Sequence, residues 1–324
     1  MSEQDIYMND IQPLSSALSF IQQNASQPDT SPIMSGQFHF NTFQNGLTSH
    51  ATDAVEEQNA NITTELPAGI SFNFLFTGTI DYSFGSNKYQ LTNNSDQAVQ
   101  GSIIVNNTDE ILTRHLTAGM HIRKLNIFVE QQWLTSRCQT EADRQVINDI
   151  FQQQNVYLWQ PEQQAISKAD ALIELNNENT FSQNLTTEHL TMELLGYCVD
   201  EVYRQVTSEP GKDSVDNYTS GQSLKATLDN SVAGLHTLAE IAQQLNMSVS
   251  TLQRQFKRNY GLNISVYIKQ RRLEAAKKSL LINELSIGEV AFHAGYNHTS
   301  NFINAFKKSF NMTPAAYVKL HKIR

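Results

Sequence analysis

The chain has 324 residues, a net charge of −9 and a hydrophobic content of 40%, which is ordinary for a globular protein of two or three domains. Its longest apolar stretch, residues 70–80, is short and interrupted by polar residues, so no membrane segment is expected. The acidic first residues lack the pattern of a signal peptide, and the sequence therefore predicts a cytoplasmic protein.

Charge is distributed unevenly along the chain. Residues 232–324 contain thirteen Lys or Arg and four Asp or Glu, a balance of +9, whereas the preceding 231 residues have a balance of −18. A basic segment joined to an acidic body is typical of a nucleic-acid-binding module attached to a domain that must not bind a polyanion itself. The split favours nucleic acid as a partner, although a basic surface also arises by chance.

Strand patterns dominate residues 1–135. Alternation near period two, typical of strands, occurs in residues 37–43, 69–84, 88–91, 100–105 and 120–129. Gly78 is expected to form a bulge in the longest of these strands, and residues 85–87 a turn. A short helix is expected at 11–21 and loops over the rest of residues 1–58. Short strands at this spacing predict a small barrel or sandwich.

The apolar period changes to about 3.6 after residue 131, which indicates helices. The predicted helices are 142–151, 161–175 and 187–206, and they make residues 136–207 a separate helical region. Residues 208–222, with Pro210-Gly211, are predicted to be a linker. A short helix near 223–231 then leads into an all-α domain over residues 223–324. The predicted fold class is therefore α+β.

A helix-turn-helix pattern occurs near the C-terminus. Thr237 and Glu240 have the spacing of a capping box, in which each side chain satisfies a free backbone N–H at a helix start. The helix that follows breaks at residues 246–248. A second helix then carries apolar residues at four-residue steps, namely Leu252, Phe256 and Tyr260. Two short helices joined by a tight turn predict a DNA-binding unit.

The same pattern recurs about fifty residues later. Ser286 and Glu289 repeat the capping box at an offset of 49, and the aromatic positions of the second helix recur at an offset of 50. The extra residue is expected in the second turn, near residues 295–298. The segment 264–281 between the units is predicted to be a helix of about 27 Å. That length suits two recognition helices placed in successive segments of the major groove.

Several segments of this region carry a more specific pattern. They are 271–281 (Arg-Arg-Leu-Glu-Ala-Ala-Lys-Lys-Ser-Leu-Leu), 287–291 (Ile-Gly-Glu-Val-Ala), Gly295-Tyr296, 306–310 (Phe-Lys-Lys-Ser-Phe) and 312–317 (Met-Thr-Pro-Ala-Ala-Tyr). With the doubled unit, they resemble the AraC/XylS family of bacterial transcription regulators. The resemblance implies a sequence-specific regulator, expected to be an activator, with double-stranded promoter DNA, RNA polymerase and a second copy of the chain as partners.

The resemblance also implies which residues contact DNA. Base contacts are expected from Ser250, Gln253, Arg254, Thr299, Ser300 and Asn304. Phosphate contacts are predicted for the cations beside them, Lys257, Arg258, Lys307 and Lys308. Many relatives have Arg or another long polar residue at the position of Asn304. The second unit is therefore expected to read sequence less strongly than the first.

The first half of the chain carries a patchier resemblance. Residues 66–69 (Leu-Pro-Ala-Gly), 121–134, 158–161 (Leu-Trp-Gln-Pro) and 187–195 are similar to the PchR-type, siderophore-responsive branch of that family. This similarity implies a cupin-like sensor barrel over residues 1–135, with helices that dimerise over 136–207. It also implies a ferric siderophore or similar iron chelate as effector.

Aromatic and cationic residues of the barrel are the candidate ligand site. Phe72, Phe74, Phe76, Tyr82 and Phe84 could hold an aromatic chelate, and Arg114 and Arg123, with His115 and Lys124, could offset its charge. Alternating aromatic residues are nevertheless more often packed core. No histidine spacing indicates a protein-bound metal, no cofactor motif is present, and no catalytic motif predicts an enzyme. The alternatives are a regulator responding to a sugar, a fatty acid or another hydrophobic molecule, or a metal-dependent cupin enzyme with a DNA-binding tail.

Overall fold

A computed structural model describes residues 4–7, 10–11, 21–25, 31–43, 46–85, 87–93, 98–152, 155–175, 180–207, 228, 236–260, 262–282 and 285–321. The chain divides into two compact units, Met1–Tyr218 and Thr219–Arg324. Within the described ranges, none of the helices has the length and apolar character needed to span a bilayer. The predicted linker at 208–222 lies outside the described residues, as do almost all of the helices predicted at 11–21 and 223–231.

Among the described residues of the first unit, eleven antiparallel strands form the sheet. They are β1 (Gln4–Ile6), β2 (Ile21–Ala25), β3 (Met34–Phe43), β4 (Leu47–Glu56), β5 (Ala60–Leu66), β6 (Gly69–Phe84), β7 (Asn87–Asn93), β8 (Gln100–Asn106), β9 (Glu110–Leu116), β10 (His121–Glu130) and β11 (Asn155–Trp159). The five strands predicted from alternation are confirmed. Strand β4 was predicted to be a loop, and that prediction is wrong because its polar residues face the interior and leave no apolar pattern.

Strand β6 divides the strands into two layers. Its first half pairs with β10 and β8, and its second half pairs with β7 and β9. Between the halves, Arg123 of β10 faces Thr77 while Lys124 faces Leu75, so Phe76 is an extra, bulged residue. Gly78 makes the bend with φ +98°, where a Cβ atom would collide with the backbone oxygen of His121. We call the layer of β1, β3, β4, β10, β8, β11 and the first half of β6 the helix-facing sheet, and the rest the second sheet.

Helices cover one face of the helix-facing sheet. They are α1 (Gln131–Thr135), α2 (Glu141–Ile150), α3 (Gln163–Glu174) and α4 (Phe181–Thr207). Fully buried Phe72, Ile127 and Val105 from three strands form one core with Leu194 and Cys198 of α4. An apolar sheet face must be covered, and this is why the helices of the predicted region 136–207 belong to the same compact unit as the strands.

The second unit contains six helices among its described residues. They are α5 (Leu238–Gln244), α6 (Val249–Tyr260), α7 (Ile264–Ile282), α8 (Ile287–His293), α9 (Thr299–Phe310) and α10 (Pro314–His321). Two helix-turn-helix units, α5–α6 and α8–α9, flank the connecting helix α7, as the sequence predicts. With 19 residues, α7 is about 28 Å long at 1.5 Å per residue. The α+β class, with strands first and a helical C-terminal domain, is confirmed.

Candidate nucleic-acid interface and effector cavity

Helix α6 is the proposed reading helix of the first unit, and two faces of it differ sharply. Leu252, Phe256 and Tyr260 are buried, at four-residue steps. The opposite face is solvent-exposed and holds all five residues predicted to contact DNA, Ser250, Gln253, Arg254, Lys257 and Arg258. Long polar and cationic side chains on one face of an anchored helix suit base edges and phosphates in the major groove. Their contacts with DNA remain predictions.

Helix α9 repeats this arrangement in the second unit. Phe302 and Phe306 are fully buried, and Phe306 lies 4.5 Å from Phe310 and 5.9 Å from Tyr317 between ring centroids. The residues predicted to contact DNA are again exposed, namely Thr299, Ser300, Asn304, Lys307 and Lys308. This face carries two cations and short polar groups where α6 carries three cations and Gln253. The chemical difference fits weaker base reading by the second unit.

Both reading helices are positioned by the same local devices. Thr237 with Glu240 and Ser286 with Glu289 form complete capping boxes. In each turn one residue has a left-handed backbone, Asn246 at φ 54° and Gly295 at φ 82°, an offset of 49. Because α6 begins at Val249 and α9 at Thr299, an offset of 50, the extra residue lies between Gly295 and Thr299, as predicted.

Arg272 of the connecting helix contacts both helix-turn-helix units. Its guanidinium Nη2 donates to the backbone oxygen of His236 at 3.0 Å, just before α5. A Cβ atom at Gly295 would lie 3.0 Å from its Nη1. These contacts give Arg272 a positioning role within the second unit.

An interior cavity of about 150 Å³ lies between the two sheets of the first unit. The helix-facing sheet contributes most of its polar lining, including His50, Asn73, Lys124 and Asn126. The second sheet contributes a mainly apolar surface that includes Ile62, Leu66, Ile80, Leu91, Leu112 and Leu116. Inward and outward residues alternate along each strand. The cavity therefore has one polar and one apolar wall.

Charged groups that line the cavity differ in whether they have ion-pair partners. Arg114 Nη2 lies 2.6 Å from Glu56 Oε1, and its Nη1 donates to the backbone oxygens of Asp81 and His115. The other Glu56 oxygen accepts from the backbone N–H of Thr117. Burial nevertheless outweighs these contacts and raises the pKa of Glu56. Arg114 and Glu56 nevertheless form an ion pair with each other inside the unit.

Lys124 and His50 differ from that pair because, among the described residues, neither forms an ion pair. Burial, reinforced by Arg114, lowers the pKa of Lys124 to about 7. Burial and then nearby Lys124 hold the pKa of His50 well below its usual range. Both residues lie deep inside the unit yet are only half-buried, because the surface they retain faces the cavity. Among the described residues, Lys124 is the cation lining the cavity that has neither an ion pair nor a hydrogen bond, although Glu56, paired with Arg114, also attracts its charge.

The predicted ligand residues divide between two faces. Tyr82, Arg114 and Lys124 line the cavity. Phe72 and Phe74 instead face the helices and are fully buried there, and Phe84 is buried in the core around the cavity without lining it. Phe76 and Arg123 also face outwards, with the guanidinium 4.9 Å from the ring. The bulge at Phe76 reverses which residues point inwards, so a single period-two reading of residues 72–84 combined both faces.

Outside the cavity, Arg123 and His115 have other partners. Arg123 forms ion pairs with Asp170 and Glu174 of α3, both at 2.7 Å, and therefore joins β10 to that helix. His115 Nε2 lies 2.8 Å from Ser83 Oγ. In the part of the chain that the structure describes, no group of three or more His, Cys, Asp or Glu is arranged to hold a metal ion.

Sequence reasoning missed the polar lining contributed by β4 and β6. His50 and Glu56 lie in a stretch taken for a loop, and Asn73 lies between two buried phenylalanines. The signal was available in Thr48, His50 and Thr52, which alternate with small buried residues as they do in the strand. Polar side chains at period two, inside an apolar domain, indicate a wetted or ligand-filled interior.

Two family profiles match the chain. The N-terminal domain of regulatory protein PchR matches residues 35–214, more than half of the chain, and a helix-turn-helix domain matches residues 241–320. The HTH-type transcriptional activator RhaS of Escherichia coli O157:H7 is 30% identical over 106 residues, 28% of this chain and 38% of RhaS. Transcriptional activator NphR of Rhodococcus sp is 35% identical over 85 residues, 26% of this chain and 25% of NphR. The chain thus matches well under half the length of either relative.

Two solved structures are also similar to the chain. The C-terminal domain of the response regulator yesN from Fusobacterium nucleatum is 32% identical, covering 30% of this chain and 95% of that one at a TM-score of 0.28. ToxT from Vibrio cholerae is 12% identical and covers 93% of this chain and 98% of its own at a TM-score of 0.32, too low to support a conclusion. With both halves matched by their profiles, the chain belongs to the AraC-type regulators that carry a PchR N-terminal domain.

Proposed function

We propose that this protein is a DNA-binding transcription activator whose first unit binds a small-molecule effector. The observation that carries the proposal is the repeated presentation of an exposed polar and cationic helix face over an aromatic core, on α6 and again on α9. The relatives RhaS and NphR, which are named transcriptional activators, support activation rather than repression. RNA polymerase is the partner that activation requires.

Binding of the full chain to its promoter fragments tests the first part of this proposal. Four phosphate-contacting cations per chain predict a slope of about −3.6 for log affinity against log salt, at about −0.9 per phosphate on duplex DNA. Lys257→Ala and Lys307→Ala should each reduce that slope by about 0.9. Affinity that does not change with salt, or that is equal for promoter and unrelated DNA, would contradict the proposal. Transcription from the same fragments with purified RNA polymerase tests activation.

A ferric siderophore is the effector class that the PchR domain suggests. The cavity of about 150 Å³ is smaller than the roughly 300–1,000 Å³ typical of pockets for drug-sized ligands. An iron chelate of that size would therefore require the two sheets to separate, or a site elsewhere on the unit. Thermal unfolding with a panel of ferric siderophores tests this, since a ligand of the folded state raises the melting temperature with concentration. No shift with any chelate would exclude the class.

We also propose that the chain forms a homodimer through α4. This helix buries one face against the strands, and on its outer surface it exposes Phe181, Leu185 and Met192 to solvent. Apolar residues grouped on one helix face are typical of helix–helix contacts. Sedimentation should detect a dimer that Leu185→Ser weakens. Leu158→Ser, which alters an exposed leucine of β11, is the matched control and should not weaken it.

A further inference from the structure

Lys124 occupies an unusual position in the first unit. Successive side chains of β10 face opposite sides of the sheet. Arg123 faces outwards and binds Asp170 and Glu174, whereas Lys124 faces the interior cavity. A buried ammonium is costly unless it is paired. Among the described residues Arg114 and Glu56 already pair with each other, which leaves the amine of Lys124 as the group with unused binding capacity.

The other lining residues define what would satisfy that amine. On the same wall, Asn126 Nδ2 donates to Ser71 Oγ at 2.7 Å and to Asn73 Oδ1 at 2.8 Å. These residues extend the polar surface beside Lys124. Opposite them, the second sheet presents Ile80, Leu91 and Leu112. A ligand that fits both walls has one polar, negatively charged end and an apolar body.

The volume of the cavity limits the size of that body. A dry apolar cavity of about 150 Å³ can hold a single benzene-sized ring, and the space here is of the same size. We propose that the cavity binds a small organic anion, of the size of one aromatic ring bearing one carboxylate, with Lys124 as the group that recognises the carboxylate. The inference rests on the proposed effector-binding role of this unit and names the effector's chemistry.

Protonation provides a readout that a purely structural lysine would not give. The titratable groups that face Lys124 are His50 and Glu56 of β4, Arg114 of β9 and Tyr82 of β6. Because burial lowers the pKa of Lys124 to about 7, about half of the free protein carries a neutral amine at pH 7. A carboxylate favours the ammonium form and raises that pKa, so binding should take up about half a proton at pH 7. Affinity should then fall about tenfold per pH unit above pH 7 until the raised pKa of the complex is reached.

The experiment is calorimetry and thermal unfolding of the full chain, without DNA, using benzoate and hexanoate. Benzamide and hexanol are the uncharged controls. Wild type should bind a carboxylate with proton uptake, and Lys124→Met and Lys124→Gln should weaken it at least about tenfold. Arg123→Met, which removes the neighbouring outward-facing cation, should bind as wild type does.

Three results would overturn the inference. They are no binding of either carboxylate by wild type, equal binding of the uncharged analogues, and unchanged affinity in both Lys124 variants. If the variants do not fold, proton uptake by wild type together with its preference for the carboxylates over their uncharged analogues decides the question. Because DNA is absent, loss of the inference leaves DNA binding untouched, and a thermal shift with a ferric siderophore but with neither carboxylate would reject this ligand class while retaining an effector.

Discussion

The two helix-turn-helix units share a frame but differ in the surface they offer to DNA. Each has a capping box, a left-handed residue in its turn and aromatic residues packed beneath the reading helix. On the outer face, α6 presents Gln253, Arg254 and three cations in all, whereas α9 presents Asn304 and two cations. The frame is set by backbone and core requirements that both units must meet. The outer face is free to differ, and we expect this difference to make the first unit the stronger reader of bases.

The largest expected effect concerns what the units share. Phe256→Ala and Phe306→Ala should each lower the free energy of unfolding by about 3–5 kcal/mol, because each leaves a cavity under a reading helix. Both side chains are fully buried. Urea unfolding followed by circular dichroism measures the change. The control is Phe292→Ala, because the side chain of Phe292 is 71% exposed. This substitution should change the free energy of unfolding by no more than about 0.5 kcal/mol. A loss below about 1 kcal/mol for Phe306→Ala would contradict the place of Phe306 in the core.

The next prediction concerns how the units differ. Arg254→Ala should weaken promoter binding by about 1–3 kcal/mol and relax the preference at one base position, because a long cationic side chain can pair with a guanine edge. Asn304→Ala should cost less. Competition binding against single-base variants of the promoter separates base contact from phosphate contact. Lys319→Ala removes an exposed cation outside both reading helices and controls for charge alone. A greater loss of specificity with Asn304→Ala would reverse the assignment of roles.

Sequence reasoning recovered this shared frame because its signals are local. A capping box such as Ser286 with Glu289 spans four residues, and the positions of Phe302 and Phe306 depend only on helical periodicity. The lining of the cavity in the first unit was harder to predict from the sequence. Its lining comes from strands far apart in sequence, and the bulge at Phe76, visible only in the pairing of β6 with β10, decides which side Phe74 and Tyr82 face.

Polarity also concealed part of the cavity. Strand β4 carries Thr48, His50 and Thr52 on its inner face, the reverse of the usual apolar interior, so its sequence pattern predicts a loop. Lys124 appeared beside Arg123 as one of two equivalent cations. Only the direction of each side chain from β10 shows that one pairs with α3 and the other faces the cavity.

The turns distinguish the units at a single position. Gly295→Ala should destabilise the chain by about 1–3 kcal/mol, because it forces a left-handed backbone on alanine and brings a Cβ atom within 3.0 Å of Arg272 Nη1. Asn246→Ala should cost about 1–2 kcal/mol from the backbone alone. Gly295→Asn separates the two causes, since asparagine tolerates this backbone and retains only the contact with Arg272. Thermal unfolding measures all three, and equal stability of Gly295→Ala and wild type would show that Arg272 and the turn adjust freely.

The smallest expected effect is on the pH dependence of stability, and it should be the same in both helix-turn-helix units. Hydrogen bonds from the backbone and side chain of Thr237 lower the pKa of Glu240, and those from the side chain and backbone of Ser286 lower the pKa of Glu289. A carboxylate whose pKa is lower in the folded chain stabilises it above the unfolded value of about 4.3, and that contribution is lost as pH falls through the folded pKa. Glutamine retains the capping geometry but cannot be charged. The double variant Glu240→Gln with Glu289→Gln should therefore lose less stability than wild type between pH 5 and pH 3. Parallel pH profiles for variant and wild type would show that capping depends on hydrogen bonds alone and gains nothing from the charge in either unit.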